Sequence, residues 1–577
     1  MFKFFLYNYF QDIILFLTIN LNEKKTSKLI KKKIYLCFLK SQIFIKIFVL
    51  IHFIFFKILT IFSNSKKIKL FTLSYFYNFN LFDFKKIVQL IFALKQLSLH
   101  SKERLKNINF SNDKNTQDNY YENIVIGSGP GGSVTALNLC KSKFETLILE
   151  KGSSFNVPKT KHPYSEFYKK WKYAGISGAI GNFDFQYASG QCLGGGSEIN
   201  SGLYHELDEV FLKKLKENNK NNLIHIKKFK WQDLISIKDE IKLNDEEKNL
   251  KKYFSLGSEK LKYKLENLSS FYTNEHKNSM SNTLLREAVK LGCYIKCNVN
   301  VLKIKKKEYW EIESEENGKK KIFKSKRVFI CCGSPYSLNL LKKSKILNNN
   351  FNQKFHFHPM IKVIAKFPKK VNSIKNANVI NNQISEFFPN FLFGNAASNI
   401  EFLKIFAFGN SNVLNDIENN YEHMSMYHVT FSSGKSNFFK IPFIQEYLIK
   451  YSFDEFEKKY LNDGLIKLIN FIFESGADYI YIPNKNNTKL TKSSNYSDII
   501  KKNKFNLSSV HLLGGIKFGE SDDCLFNSFG KFKSKKMNNL YVNDSSLLTE
   551  KLLKNPQGAI MEISDQNINE AIKNFNE

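Results

Sequence analysis

The chain has 577 residues and a mass of 67.3 kDa, a length that predicts two or more domains with a sizeable core. Hydrophobic residues at 43% and aromatic residues at 15% exclude a wholly disordered chain, and 27 glycines with 10 prolines exclude collagen-like and Pro-rich classes. The formal net charge of +34 comes almost entirely from lysine, since Arg104, Arg286 and Arg327 are the only arginines. Because proteins that read nucleic acids usually depend on arginine forks, we expect no nucleic-acid partner.

The first 110 residues consist of apolar runs interrupted by lysines. The most apolar stretch, residues 34–62, is broken by Lys40, Lys46 and Lys57, so it falls short of the roughly 20 apolar residues of a membrane-spanning helix. In a helix Lys46 and Lys57 would share one face, from which long side chains can reach lipid headgroups. We therefore predict that residues 1–118 are a helical, Lys-rich, membrane-associated extension that ends in a polar linker.

The location of the protein follows from this extension and from the cysteines. A helical arm docked on the rest of the protein and an unstructured leader are the two alternatives to membrane contact. The eight cysteines contain no C-x-x-C pair, so a disulfide scaffold is disfavoured and we expect buried thiols in a reducing compartment. We therefore predict a membrane-associated protein, without specifying the side of the membrane. If it is not membrane-associated, we expect it in the cytoplasm.

A complete β-α-β unit begins at Tyr121. It comprises a short apolar strand, a helix of small residues and a second apolar strand, at residues 122–126, 133–140 and 146–149. The loop before the helix satisfies G-x-G-x-x-G, and its residues are Gly127, Ser128, Gly129, Pro130, Gly131 and Gly132. In this motif the first glycine allows a tight turn, the second lets the backbone approach a pyrophosphate, and the third lets the helix pack close to the strand. We therefore predict a dinucleotide site here.

Glu150 directly follows the second strand of this unit. A carboxylate at that position can accept hydrogen bonds from both hydroxyls of an adenosine ribose and would repel a 2′-phosphate, so NADP is disfavoured. The motif alone does not distinguish FAD from NAD.

A second glycine-dense loop, residues 190–204, bears on that choice. Its sequence, QCLGGGSEINSGLY after Gly190, resembles the glucose–methanol–choline (GMC) oxidoreductases, whose signature is a Leu-Gly-Gly-(Ser/Gly)-Ser-x-x-Asn run packed along the flavin. The resemblance implies FAD as the cofactor. The residues that it places along the flavin are Gly194, Gly195, Gly196, Ser197 and Asn200.

Later segments resemble the same family in the same order, from about residue 120 to residue 572. Residues 298–304 resemble the strand whose backbone meets the adenine near Val301, and residues 327–335 resemble the strand and glycine turn, at Gly333, beneath the cofactor. Residues 538–546 and 555–558 resemble the closing flavin segment and the active-site Asn-Pro. The cofactor contacts implied in these last two segments involve Asp544, Pro556 and Gln557.

The implied fold class is α/β, or α+β overall: a Rossmann-like FAD-binding domain, a second domain built on a mostly antiparallel sheet, and the helical N-terminal extension. The FAD-binding domain is assembled from residues 119–205, 281–345 and 504–577. The substrate-binding domain is formed by residues 206–280 and 346–503.

The resemblance also supplies candidate catalytic residues for an alcohol oxidoreductase. Such an enzyme needs a base for the hydroxyl proton and a partner for the substrate oxygen. His511 occupies the place of the family's catalytic histidine, and Asn555 that of the second member of the pair, His or Asn. Residues 515–518, GIKF, replace the more usual Thr-Cys-Arg-Met, which puts the local turn and the rate in doubt.

Three further histidines lie in suggestive places. His356 and His358 alternate as on a strand and are expected to line the substrate cavity or support it from behind; without a third ligand nearby we expect no metal site. His205 follows the second glycine loop and is expected to brace it.

The substrate and the electron acceptor are less constrained. Residues 197–205 and 465–481 resemble the long-chain alcohol oxidase-like branch, which favours a long apolar alcohol as the substrate. Within the family, a sugar, polyol or small alcohol is the alternative substrate. The non-catalytic alternative is a degenerate flavin-binding membrane protein. Oxygen, a quinone or a cytochrome would serve equally as electron acceptor, since the sequence has no haem C-x-x-C-H motif and no iron–sulfur cysteine spacing.

Overall fold

A computed structural model describes most of the chain. The described residues are 2–20, 28–41, 43–59, 68–69, 72–73, 76, 84–99, 119–155, 163–181, 185–219, 243–271, 277–348, 351, 355–373, 379–431, 433–440, 447–452, 454–484 and 486–575.

The helices of the described part include four that precede the β-α-β unit. In chain order they are α1 Phe2–Asn20, α2 Lys28–Lys40, α3 Ile43–Leu59, α4 Phe84–Leu99, α5 Pro130–Lys141, α6 Pro163–Lys170, α7 Glu209–Asn219, α8 Asp245–Leu261, α9 Leu284–Lys290, α10 Tyr336–Lys343, α11 Ile400–Phe406, α12 Ser411–Asn420, α13 Glu455–Glu474, α14 Tyr496–Lys502 and α15 Gln557–Lys573.

The strands have between 2 and 12 residues, and β11 is the longest. They are β1 Tyr120–Ile126, β2 Thr146–Leu149, β3 Gly178–Gly181, β4 Phe185–Tyr187, β5 Leu203–Tyr204, β6 Leu265–Asn267, β7 Ser269–Ser270, β8 Tyr294–Lys296, β9 Val299–Lys306, β10 Trp310–Glu316, β11 Lys319–Ile330, β12 Phe355–Phe357, β13 Met360–Lys366, β14 Asn382–Ile384, β15 Phe391–Ala396, β16 Met424–Phe431, β17 Ser433–Lys440, β18 Tyr447–Tyr451, β19 Tyr479–Tyr481, β20 Lys489–Leu490, β21 Leu507–Ser509, β22 Leu512–Gly514 and β23 Leu540–Val542.

The first sheet has the order β8-β2-β1-β11-β10-β9, and β23 also pairs with β11. The pairs β1–β2, β1–β11, β2–β8 and β11–β23 are parallel. Parallel strands are covered on both faces, which is why β1 and β2 are almost continuous apolar runs. The carboxyl ends of β1, β2 and β11 meet at one edge, where the chain continues into Gly127, Glu150 and Cys331. This edge is where open parallel sheets bind nucleotides.

The second sheet is larger and mostly antiparallel, in the order β22-β12-β17-β18-β3-β4-β21-β13-β16-β15-β14-β6, with β19 and β20 beside β13. The mixed α/β fold with one parallel-rich and one mostly antiparallel sheet confirms the predicted fold class. Strands β3, β4, β21 and β22 belong to stretches that we assigned to the FAD-binding domain, yet they pair in the second sheet. The predicted domain boundaries therefore stay a prediction.

The N-terminal helices dock on the rest of the molecule. They share an apolar cluster of their own, which also takes in Ala174 and Ile176 beyond the β-α-β unit. The Phe92 ring on α4 lies 5.2 Å from that of Phe408, and the Lys40 ammonium lies 4.8 Å above the ring of Tyr168. These helices therefore pack as a helical arm docked on the rest of the protein, which was one of the two alternatives to membrane contact.

The described part of the apolar stretch 34–62 is divided between two helices, and residues 60–62 lie outside the described residues. α2 ends at Lys40 and α3 begins at Ile43, and the two axes differ by 120°. In the described part no single helix has the length and apolarity to cross a membrane, although this bent pair passes that test when its two helices are taken together.

Candidate active site

One cavity of about 1760 Å³ connects the ends of the parallel strands with the face of the second sheet. Its volume exceeds the roughly 300–1,000 Å³ that is usual for a pocket that holds one small molecule, so a dinucleotide and a substrate can share it. Most of the predicted site residues line it: Gly127, Gly129, Pro130, Gly131, Glu150, Gly195, Gly196, Ser197, Asn200, Val301, Gly333, His511, Asp544, Asn555, Pro556 and Gln557. Gly132 and Gly194 are not among the lining residues and lie behind it.

The first glycine loop has the geometry of a phosphate cradle. Gly127 adopts a φ of +103°, and a Cβ there would lie 2.3 Å from the Cys331 carbonyl oxygen. A Cβ on Gly132 would lie 2.0 Å from the Gly127 carbonyl oxygen, so this glycine serves the packing of α5 against the loop. A Cβ on Gly129 would meet nothing within 4 Å, and this residue, which precedes α5, faces the cavity. The amino end of α5 therefore opens to the cavity with room for a pyrophosphate.

Glu150 binds the same loop from below. Its carboxylate accepts hydrogen bonds from the Ser128 amide at 3.0 Å, the Ser128 hydroxyl at 2.6 Å and the Gly152 amide at 2.6 Å. Burial raises the pKa of this carboxyl, and the hydrogen bonds from Ser128 and Gly152 oppose that rise. A carboxylate has about four acceptor positions, so Glu150 can hold the loop and still accept from a ribose. The motif does not predict this role of Ser128, because Ser128 occupies one of its variable positions.

The second glycine loop lies against the first. A Cβ on Gly195 would approach the Gly129 Cα to 2.9 Å, and the Gly194 amide donates to the Ser128 hydroxyl at 3.0 Å. Asn200 is joined to the C-terminal segment, because its side-chain amide donates to the Gln557 carbonyl oxygen at 2.5 Å. Two flavin contacts predicted 357 residues apart are thus neighbours.

Asp544 organises the turn at Gly333. Its carboxylate accepts from the Gly333 amide at 2.8 Å, the Ser337 hydroxyl at 2.5 Å and the Ser546 amide at 2.8 Å. Burial raises the pKa of Asp544, and these donors oppose the rise. Gly333 has a φ of +80°, which glycine adopts without steric cost. Asp544 therefore holds the turn at Gly333 together, and its predicted contact with the cofactor stays a prediction.

His511 lies between β21 and β22, which are both strands of the second sheet. Its Nδ1 is 2.9 Å from Nδ1 of His358, and the two rings are nearly perpendicular, at 85°. Burial lowers the pKa of His511 to about 3, helped by His205 and His428, and burial with the neighbouring His511 lowers that of His358 well below its usual value. Both rings are therefore neutral at neutral pH. Asn555 lines the same cavity.

The remaining predicted histidines have separate places. His356 turns its Nε2 to the Thr549 carbonyl oxygen and is not among the cavity-lining residues, whereas His358 is. Nε2 of His205 lies 2.8 Å from the Gln383 side-chain oxygen, and a Cβ on Gly558 would lie 2.2 Å from the His205 carbonyl oxygen. Within the described residues no group of three or more His, Cys, Asp or Glu could hold a metal ion.

The cavity residues that were not predicted include a lysine and a histidine on neighbouring strands. Lys362 on β13 pairs in register with His428 on β16, and both line the cavity. Burial lowers the pKa of Lys362, and burial together with Lys362 lowers that of His428 to about 4. The available signal was the period-2 alternation after His358, which places Met360 and Lys362 on one strand face.

Comparison with known proteins identifies similar chains. Residues 121–360 match the family model described as GMC oxidoreductase. An uncharacterised GMC-type oxidoreductase of Sinorhizobium fredii is 25% identical over 483 residues, covering 76% of this chain and 92% of that protein. Residues 121–360 are thus a GMC oxidoreductase region, and the similarity to a GMC-type oxidoreductase extends over 76% of the chain.

Other relatives of this GMC oxidoreductase cover less of the chain or share its fold only. A long-chain-alcohol oxidase of Arabidopsis thaliana is 26% identical over 302 residues, which are 44% of this chain and 38% of that protein. The solved formate oxidase of Aspergillus oryzae has a TM-score of 0.62 at 10% identity, covering 80% of this chain and all of that one (100%). The solved pyridoxine 4-oxidase has a TM-score of 0.59 at 12% identity, covering 78% and 99% of the two chains.

FAD is the cofactor of this family, and the site fits it. The open amino end of α5 suits the pyrophosphate, Glu150 suits the adenosine ribose, and Val301 of β9 lies on the cavity wall near them. The Asn200–Gln557 pair and the Gly195 backbone supply polar groups further along. The protein is therefore an FAD-dependent oxidoreductase.

Proposed function

We propose that this GMC oxidoreductase oxidises the CH–OH group of an alcohol. His511 takes the hydroxyl proton, and the Asn555 amide holds the substrate oxygen; FAD, when bound, supplies the hydride acceptor. The observation that supports this best is the position of His511 and Asn555 in the cavity that also contains both glycine loops.

The contact with His358 supports a proposal for which nitrogen of His511 is the base. Two neutral imidazoles can form the Nδ1–Nδ1 hydrogen bond of 2.9 Å only when one donates and the other accepts. We propose that His511 donates Nδ1–H to His358, which leaves Nε2 of His511 unprotonated for the substrate. The pKa of about 3 keeps this ring in its proton-accepting form at neutral pH.

A long-chain or other apolar alcohol is the substrate that we favour. The long-chain-alcohol oxidase among the relatives supports it, as does an apolar cavity wall that includes Phe48 and Leu90. A sugar, polyol or small alcohol is the second candidate, and the polar residues Lys362, Asn395 and His428 on the cavity wall favour it. Neither candidate substrate specifies whether the electron acceptor is oxygen, a quinone or a cytochrome.

We also propose that α3 contacts a membrane surface. Its outward side exposes Ile47, Ile51, Ile54 and Phe55 by 40–48% each. Apolar residues spaced by three and four positions form one stripe, which suits a helix lying in the interface among lysines that attract anionic lipid. Ile51→Lys should reduce sedimentation with anionic vesicles; equal sedimentation of variant and wild type would contradict the proposal.

The test of the proposed reaction is an anaerobic flavin spectrum of the full-length protein. We expect bleaching on addition of dodecanol, and retained yellow colour with little bleaching in His511→Ala. A spectrum that no alcohol, sugar or polyol changes would instead favour a flavin-binding protein without this activity. A His511→Ala protein that bleaches as fast as wild type would refute the assignment of the base.

A further inference from the structure

The cavity that contains His511 extends beneath the N-terminal helices. α3 contributes Ile45, Phe48 and Val49 to its wall, and α4 contributes a stripe that includes Leu90 and Leu97. The spacing of three and four residues means that each helix turns one continuous face toward the cavity. These helices therefore do more than cover the protein surface.

The opposite wall comes from the body of the protein. Helix α11 supplies Ile400, Phe402, Ile405 and Phe406, and the segment after α6 supplies Ala174 and Ile176. Lys170 also lies at this wall, where its Nζ forms an ion pair with Oε1 of Glu166 at 3.2 Å. The space between α3, α4 and α11 is thus bounded mainly by apolar side chains, and we call it the apolar arm of the cavity.

The two ends of the cavity differ in chemistry. Near His511 the wall carries His358, Lys362 and His428. The apolar arm presents mainly aliphatic and aromatic groups, and its polar lining residues include Lys86, Gln89 and Glu401. A molecule that fits both ends has one polar head and a long aliphatic tail. Burial of each methylene of such a tail improves binding by about fourfold.

We propose that the apolar arm between α3, α4 and α11 binds the aliphatic tail of the substrate, so that the N-terminal helices form part of the active site. This inference rests on the proposed alcohol oxidation and adds to it the site that selects for chain length. The exposed stripe on the other side of α3 places the arm next to the surface from which an apolar alcohol would enter.

Ala93 offers the sharpest test, because its small half-buried side chain lies on the α4 stripe and lines the cavity. In Ala93→Phe the added ring would occupy the space of several methylenes. We expect the ratio of kcat/KM for dodecanol to that for butanol to fall by at least about tenfold. Leu39→Phe is the matched control, since Leu39 is 38% exposed on α2, outside the cavity lining, and the ratio should not change.

Ile405→Trp repeats the test from the opposite wall, so that a folding defect of one helix does not decide the result. Flavin content and the unfolding temperature of each variant serve as checks on the fold. If Ala93→Phe and Ile405→Trp gave the same ratio as wild type, the apolar arm would not be the tail site.

A binding measurement separates this inference from the proposed reaction. Trp171 lines the cavity, so a bromine-bearing dodecanol bound in the arm should quench its fluorescence, and Trp171→Phe identifies that share of the signal. Quenching that Ala93→Phe abolishes, in a protein whose flavin no alcohol reduces, would retain the tail site and reject the reaction. Reduction by alcohols without such quenching would reject the tail site and retain the reaction.

Discussion

His358 is the residue whose replacement tests the mechanism most directly. His358→Phe keeps a ring of similar size in this buried position but removes the nitrogen that lies 2.9 Å from His511 Nδ1. In the proposed reaction His511 would become an imidazolium on accepting the substrate proton, and its bond to His358 would become charge-assisted. Hydrogen bonds to charged groups contribute about 1.5–3 kcal/mol, so the limiting rate of flavin reduction should fall roughly 10- to 150-fold.

Anaerobic stopped-flow reduction of the flavin measures this rate and the apparent alcohol affinity separately. We expect the limiting rate to fall while the affinity changes little, since His358 is proposed to act through His511. His358→Asn should recover part of the rate, because its amide oxygen can accept from Nδ1–H.

His356→Phe provides the matched control for this prediction. His356 is two residues away, bonds the Thr549 carbonyl oxygen and is not among the cavity-lining residues, so its replacement should leave the rate within about twofold. A rate in His358→Phe equal to that of wild type would refute the tautomer argument, as would an equal loss in both variants.

Two further predictions concern cofactor retention and pH. Glu150→Ala should weaken FAD retention on gel filtration, because it removes the acceptor for Ser128 and Gly152; full retention would contradict this. The pKa values of His205 and His428, about 4, and of His511, about 3, lie below the ordinary 6.5. In acid these three histidines therefore bind more protons in the unfolded chain than in the folded one. Their contribution to the free energy of unfolding is complete above pH 6.5 and falls toward pH 4, by up to about 1.4 kcal/mol per histidine and pH unit. Denaturant midpoints that do not change between pH 7 and pH 5 would refute this.

The cofactor cradle could be predicted from sequence because its signals are local. The strand, glycine loop and helix around Gly129, and the carboxylate of Glu150, lie within about 30 residues of each other, as the motif requires. Steric reasons for Gly127 and Gly132 are found within the same unit and its neighbouring strand. Such features depend on the backbone alone.

The support of His511 could not be predicted in the same way. His358 lies 153 positions earlier in the chain and reaches His511 only because β12 pairs with β22 in the second sheet. Lys362 and His428 meet through a register that no local pattern specifies. The N-terminal helices were predicted, but their docking against α11 depends on tertiary contacts such as Phe92 with Phe408.

The burial of His511 affects the reaction in two opposing ways. Removal from water lowers its pKa to about 3, which keeps the ring ready to accept a proton but makes it a weak base. The low basicity of His511 must be offset while the proton is transferred. Polar groups that are already in position can stabilise the transferred charge without reorganisation. In the proposed reaction, His358 would stabilise the ring that gains the proton, and Asn555 would stabilise the oxygen that loses it. A substrate tail in the apolar arm would exclude water further, so we expect the reaction to depend more strongly on these two neighbours for long alcohols than for short ones.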